Sequence, residues 1–260
     1  NPCIQCNGRV RIEPMVELAD ALGAERLVTG HYARLVELES PDGPLVSGGA
    51  DPAKDQAYAL ARVPTRVLAK MDFPLGAMTK AEVRQAARDR GLAVADAPDS
   101  QDLCFIAGIG RERFLAEHGQ LGPREGDIVD PGGNRLGAHN GFFNHTIGQR
   151  RGLGIGGGTP LFVIGTDAET NTVTVGGRAD LRTRRVVLED LDLRRPAERV
   201  RSARLRHHAD SSEVERVDIE GGLATIHFAS DVERVAPGQV ACLLDGETVV
   251  GCGTVSARES

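Results

Sequence analysis

Tryptophan is absent from this 260-residue chain, and tyrosine occurs only twice. With seven phenylalanines the aromatic share is 3%, too little for a stacking platform that grips single-stranded nucleic acid regardless of sequence. Lysine is scarce as well, three residues against 28 arginines; beside abundant alanine and valine this reads as genomic composition bias, not as function. No apolar run comes near the roughly 18 residues a membrane-spanning helix needs, and no leader pattern opens the chain. No membrane partner is expected. Five cysteines, an odd number, do not make the disulfide framework of a secreted protein. They point to a reducing, cytoplasmic compartment and to thiols with special roles.

What is present is the composition of a soluble globular chain, 40% apolar and 26% charged, long enough for one large domain or two to three small ones. The net charge of −6 does not announce a nucleic-acid binder, but it is unevenly spread. Between Arg178 and Arg206 ten arginines stand against five acids, whereas from His207 onward three arginines stand against ten acids. Such a basic stripe is either a solvated face or a surface that meets a phosphate backbone while the molecule stays anionic overall.

The first hundred residues read as α/β. In "VRIEPMVELADALGA" the residues Val10, Met15, Leu18, Ala19 and Leu22 recur at helical steps and predict an amphipathic helix ending near Gly23. "RLVTG" reads as a short buried strand, and "ARLVEL" and "PLVSGG" as the arms of a hairpin. In "TKAEVRQAARDRGL" Thr79 and Glu82 form a capping box, Val83, Ala86 and Ala87 an apolar face, and Gly91 a C-terminal cap. A further short helix, "RERFLAEHG", leads into strand-like runs separated by glycine and proline turns, and "DGE" joins the last two in a tight hairpin. The fold class is therefore α/β followed by β, with one boundary near residue 108 and a softer one near residue 179.

Cys3 and Cys6 form a C-x-x-C pair ahead of the first helix. A structural zinc site needs a second pair at matching spacing. Cys242 and Cys252 lie ten residues apart in strand-like runs and read as core, so no metal site is expected. A redox dithiol is the other reading, because a helix N-terminus favours a thiolate, although no complete thioredoxin pattern surrounds the pair. Cys104, in "PDSQDLCFIAG", reads as an accessible loop thiol flanked by acids or as a buried inert one. "GLGIGG" at Gly152–Gly157 fits the fingerprint G-x-G-x-x-G, but a β run follows and not a helix, which excludes a Rossmann site. Rimmed by Arg150 and Arg151, that loop can still approach a phosphate or a backbone closely. "TGHYAR" places Gly30 and His31 at a strand end, where open α/β sheets bind ligands. "KDQAY", from Lys54 to Tyr58, reads by default as solvated surface.

Taken in order, "NPCIQCN", "LGAERLVTGHYAR", "KDQAYAL", "FPLGAMTKAEVRQAARDRGLAVADAPDSQDLCFI", "HTIGQRRGLGIGGGTPLFVIGTDAETNTVTVG" and "PGQVACLLDGETVVGCGTV" resemble the tRNA-specific 2-thiouridylases, the MnmA family, across essentially the whole chain. The resemblance implies the C-terminal part of a PP-loop, Rossmann-like catalytic domain over residues 1–107, a small central β domain over 108–178 and a C-terminal β-barrel over 179–260. It implies that sulfur replaces the C2 oxygen of the wobble uridine of tRNA through an adenylated uridine. ATP with Mg is the implied cofactor, and tRNA and a sulfur-carrier protein that delivers a persulfide are the implied partners. By the same resemblance Cys6 matches the nucleophile and Cys104 the persulfide-bearing cysteine, the two pairing as a disulfide during turnover. Asn1, Pro2 and Cys3 match the stretch facing the target base, and Gly30 an ATP contact. His31, Lys54, Asp55, Gln56, Arg204, Leu205 and Gln239 match tRNA contacts. Cys3 stands where many relatives carry Asp. The family's Ser-Gly-Gly-x-Asp-Ser ATP loop has no counterpart here and the chain opens at Asn1, so an N-terminally truncated sequence is expected. The alternatives left open are a tRNA-binding fragment without catalysis and a dithiol redox or zinc protein.

Overall fold

The computed structural model describes residues 2–37, 43–99, 104, 108, 110–119, 122–156, 158–207 and 209–257. The chain divides into two compact units. One joins Asn1–Asp99 to Val187–Ala229 and Gly238–Ser256, and the other joins Ser100–Val186 to Ser230–Pro237 and Ala257–Ser260.

The first unit opens with one helical run in three registers: α1 (Pro2–Gln5), a π-helical stretch Cys6–Arg11, and α2 (Ile12–Ala21). Its buried apolar side chains are Ile4, Ile12 and Val16, whereas Val10, Met15, Leu18 and Leu22 are exposed. The face expected from the sequence is therefore the wrong one. A turn widened to the π register rotates everything downstream relative to a 3.6-residue helix, so a period counted from Val10 misses the face that Ile4 begins. The cysteines are displaced too. Pro2–Gln5 fill the first turn, so Cys6 lies within the helical run and not ahead of it. Gly8 permits the burial, since a Cβ there would sit 2.7 Å from Arg62 Cβ and 2.8 Å from the Arg62 carbonyl oxygen.

Next come the short strand β1 (Leu27–Val28) and the expected antiparallel hairpin of β2 (Ala33–Val36) and β3 (Leu45–Gly48). A 3-10 turn, Ala57–Leu60, and α3 (Thr65–Leu68) lead to β4 (Met71–Asp72), which pairs with β1 in parallel. α4 (Lys80–Asp89) carries the capping box read from the sequence, with the Glu82 N–H donating to Thr79 Oγ1 and the Thr79 N–H to Glu82 Oε2.

In the second unit α5 (Arg111–His118) precedes β5 (Gly126–Val129), β6 (Arg135–His139), β7 (Phe162–Asp167) and β8 (Thr172–Gly176). They form a sheet in the order β6-β5-β8-β7, in which only β5 and β8 run parallel. Ile128, Leu153, Val163, Val173 and Val175 are its core. Gly152–Gly156 is a loop leading toward β7 with no helix after it, as the sequence requires.

Six strands close an antiparallel barrel: β9 (Arg182–Leu193), β10 (Ser202–Arg204), β11 (Ser212–Glu220), β12 (Leu223–Glu233), β13 (Val240–Asp245) and β14 (Thr248–Val255). β3 adds to β14 through the pair Thr248–Ser47, so the early hairpin extends the barrel's own sheet. One core therefore serves both parts of the first unit: Ile4, Ile12, Tyr58, Leu60 and Met71 pack with Val240, Cys242, Val249 and Cys252. Cys242 and Cys252 sit opposite each other in the β13–β14 register, both buried as expected. Burial pushes both thiols upward, Cys252 to about 11, which keeps them protonated and inert. Among the described residues no helix is long and apolar enough to cross a membrane.

Candidate active site

Cys6 is a free thiol half-buried in the π-helical stretch, and Cys3 is exposed one turn earlier beside exposed Pro2. Asn1 lies outside the described residues. Next to Cys6, buried Asn7 donates from Nδ2 to the Ala59 carbonyl at 3.2 Å. That bond pins the cysteine-bearing turn to the 3-10 turn across the core. A π turn interrupts the regular hydrogen-bond ladder of a helix, and such turns occur frequently at functional sites.

The loop after β1 leaves the carboxyl end of a parallel strand pair, the crevice where open α/β sheets take ligands. Gly30 is exposed there, and an added Cβ would make only an ordinary 3.6 Å contact with Leu75 Cδ1. Packing does not demand glycine at this point, and its bare backbone fits the close approach of a nucleotide. His31 Nδ1 pairs with Thr29 Oγ1 at 2.8 Å, and its ring stands edge-on to Phe73 with centroids 5.8 Å apart. Burial, and then the charge of Arg11 in the π stretch, pushes its pKa below the ordinary histidine range. The imidazole is thereby kept neutral at neutral pH.

A second loop, Lys54 to Gln56, is stitched to the first. The Tyr32 N–H donates to Gln56 Oε1 and the Gln56 N–H to the Tyr32 carbonyl, each at 2.9 Å. Asp55 accepts from the Ala57 N–H at 2.9 Å and the Gly49 N–H at 3.4 Å, and its Oδ2 lies 2.9 Å from Arg204 Nη1 on β10. Lys54 pairs with Asp99 at 2.8 Å. The sequence default of solvated surface for this stretch is overturned. Ala57 and Tyr58 belong to the core, where the Tyr58 hydroxyl donates to the Val240 carbonyl at 2.7 Å and burial drives its pKa upward.

The loop bearing Gly30 and His31 is thus joined through Tyr32 to the loop of Lys54, Asp55 and Gln56, which Asp55 ties in turn to Arg204, all within the first unit. Gln239 is half-buried just before β13, and the side chain of Leu205 is buried in the barrel. Cys104 is an exposed free thiol of the second unit, which decides between the two readings the sequence left open. The basic stripe is weaker in three dimensions than along the chain. Arg182 and Arg184 face Asp231, Arg194 is buried against Asp192, Arg199 faces Asp245 and Arg204 faces Asp55. Among the described residues, no three His, Cys, Asp or Glu side chains cluster as a metal site. Asp99 and Glu247, which pairs with Arg34 at 2.6 Å, were missed by sequence reasoning. Only the nearness of Asp99 to the Cys104 motif offered any signal.

Three family models match in succession: a tRNA methyl transferase HUP domain over residues 1–108, a tRNA methyl transferase PRC-barrel domain over 112–177, and an aminomethyltransferase β-barrel domain over 191–255. With a loop at the carboxyl end of a parallel strand pair, they define a HUP-domain protein bearing a PRC-barrel module and a C-terminal β-barrel. Its relatives narrow that class. The tRNA-specific 2-thiouridylase MnmA of Rickettsia bellii is 38% identical over 260 residues, 98% of this chain and 70% of that protein. The proteins of the same name from Streptomyces coelicolor and Geobacter metallireducens are 41% and 40% identical over 99% of this chain and 70% of their own length. The chain belongs to the MnmA family of tRNA-specific 2-thiouridylases.

Proposed function

We propose that this chain acts in the ATP-dependent 2-thiolation of the wobble uridine of tRNA, with Cys6 as nucleophile and Cys104 as persulfide carrier. The observation that carries this reading is 38–41% identity, across 98–99% of the chain, to proteins named for that reaction. Two free thiols outside the core, one half-buried in a π turn and one exposed, support it.

A uracil C2 carbonyl is a weak electrophile whose oxygen leaves badly. Transfer of AMP from ATP to that oxygen, with release of pyrophosphate, turns it into a leaving group; the exposed backbone at Gly30 would receive the nucleotide. A persulfide on Cys104, loaded by a sulfur-carrier protein, attacks C2 through its terminal sulfur, and AMP departs with the former O2 and its electron pair. The Cys6 thiolate then attacks Cys104 Sγ. The bond from Cys104 to the transferred sulfur breaks, and its electrons remain with that sulfur as the thiocarbonyl forms. A Cys6–Cys104 disulfide is left for an external dithiol to reduce. Residues 1–107 would supply the nucleotide and thiol chemistry, 108–178 the central domain and 179–260 the barrel. Pro2 and Cys3 would face the base. His31, Lys54, Asp55, Gln56, Arg204, Gln239 and the backbone of Leu205 would meet the folded tRNA, with the target base turned out of its stack.

The test is mass spectrometry of tRNA nucleosides after incubation with ATP, Mg, a cysteine desulfurase and its carrier. With the family's ATP loop supplied ahead of it, the unaltered sequence should yield 2-thiouridine, and Cys6→Ser and Cys104→Ser none. Thiolation retained by either variant refutes its assignment. Binding of tRNA by the unaltered chain without thiolation would favour a binding fragment instead.

A further inference from the structure

The glycine loop Gly152–Gly156 of the second unit is held firmly at its start. Gln149 Oε1 accepts from the Thr146 N–H at 3.0 Å, and Gln149 Nε2 donates to the Arg151 carbonyl at 2.9 Å. The Gly148 N–H donates to the Val163 carbonyl on β7 at 2.8 Å, and the Val163 N–H to the Gln149 carbonyl at 2.9 Å. Leu153 is buried in the core of the sheet, and Ile155 and Leu161 pack against that core. Between these anchors Gly152 and Gly154 have φ of +75° and +66°, while Leu153 and Ile155 stay at negative φ. Alternation of this kind turns successive backbone N–H groups into one concavity, the geometry that receives an anion. Among the described residues, no protein acceptor takes the N–H of any residue from Gly152 to Gly156. Backbone donors that the fold leaves unpaired must meet water or a ligand.

A cavity of about 220 Å³ lies over the loop, lined by Arg150, Gly152, Gly154, Gly156 and Thr159 and by no acid. Pockets that enclose a drug-sized ligand measure roughly 300–1,000 Å³, so this one suits a phosphate group and not a whole nucleotide. Arg150 and Arg151 are exposed, and among the described residues neither meets an acid, whereas Arg182, Arg194 and Arg204 each face one. Gly156 is required by neither packing nor backbone. Its φ lies outside the left-handed region, and an added Cβ would meet nothing within 4 Å. Bare backbone at such a point permits close approach of a ligand. We propose that Arg150 and the Gly152–Gly156 backbone form a binding site for a phosphate group, carried by a nucleic-acid backbone or free as inorganic phosphate. The N–H groups cradle its oxygens, and the guanidinium supplies the opposite charge. Neither thiol takes part.

Heteronuclear NMR of the full chain, labelled with heavy nitrogen on glycine, reads the Gly152 and Gly154 amides directly. At an ionic strength held constant with chloride, inorganic phosphate or an RNA hairpin should move both along a saturable curve. Movement by the hairpin assigns the ligand to a nucleic-acid backbone, and movement by inorganic phosphate alone assigns it to the free ion. Movement by neither, or an equal movement by chloride, overturns the site. Arg150→Ala should weaken the affinity about tenfold, the loss of one charge-assisted hydrogen bond. Gly156→Val should abolish the saturable shift while the melting temperature stays unchanged, because its side chain meets only open space. An affinity unchanged in either folded variant also overturns the site, and if Gly156→Val does not fold, Arg150→Ala decides. The readout requires no thiolation, so its failure leaves the sulfur relay standing.

Discussion

Asp55 and Arg204 match tRNA contacts by resemblance, yet they grip one another, and a double-mutant cycle separates the two roles. Their side chains are 11% and 27% exposed, with 2.9 Å between Oδ2 and Nη1. Removing Asp55 also strands the Ala57 N–H, and leaves a guanidinium whose Nε is already buried without a partner. A hydrogen bond to a charged group contributes about 1.5–3 kcal/mol, and an unsatisfied buried group costs about 1–3. Asp55→Ala should therefore destabilise the first unit by about 3 kcal/mol, and Arg204→Met, which keeps the aliphatic stem, by about 2. The double variant should fall short of the sum by about 1–2 kcal/mol, because the second change removes the charge that the first left stranded. Urea unfolding followed by tyrosine fluorescence measures this in the right place. The chain has no tryptophan, and both tyrosines, Tyr32 and Tyr58, belong to the first unit. A coupling below about 0.3 kcal/mol, with tRNA affinity lost in both single variants, would refute the strut and leave two independent ligand contacts.

Gly8→Ala should cost about 2–3 kcal/mol, the upper range for overpacking against atoms that cannot swing away, because the new Cβ would meet Arg62 Cβ, O and C at 2.7, 2.8 and 3.0 Å. The same urea titration checks it, and a loss within about 0.5 kcal/mol, the usual scatter for inconsequential surface changes, would show that the helix is not held there. His31 makes a pH prediction. Its folded pKa lies below the ordinary 6.5, so as pH falls through that value the unfolded chain takes up the proton first. Its contribution to stability is complete above the unfolded pKa and is lost as pH drops toward the lowered folded value. The urea midpoint should fall less in His31→Gln than in the unaltered chain between about pH 7.5 and pH 5.5; equal falls would contradict the neutral, buried imidazole.

Features whose cause is local were legible in the sequence. The Thr79–Glu82 capping box, the β2–β3 and β13–β14 hairpins and the helix-free Gly152–Gly156 loop all depend on residues a few positions apart. What failed depends on the third dimension. The π turn at Cys6–Arg11 changes helical phase, and its single glycine, Gly8, does not announce that change in the sequence. Asp55 is held in an ion pair because Arg204, 149 positions later, folds onto it. The basic stripe is discounted by acids such as Asp231 and Asp245 that no local count pairs with it. Gly30, His31 and Lys54 to Gln56 could be singled out one by one, but the reciprocal Tyr32–Gln56 bonds that join their two loops are invisible in one dimension.

The shared sheet sets a timetable for synthesis. Ser47 and Thr248 are 201 positions apart and bond through their hydroxyls as well as their strands, so a ribosome adding about 5–20 residues per second emits the hairpin some ten to forty seconds before its neighbour exists. For that interval the edge of β3 and the pocket awaiting Val240 and Cys252 face the crowded cell uncovered. The segment that carries this hairpin can finish folding only after β14, 201 positions on, has been made, and until then it is the part of the newborn chain that needs shelter.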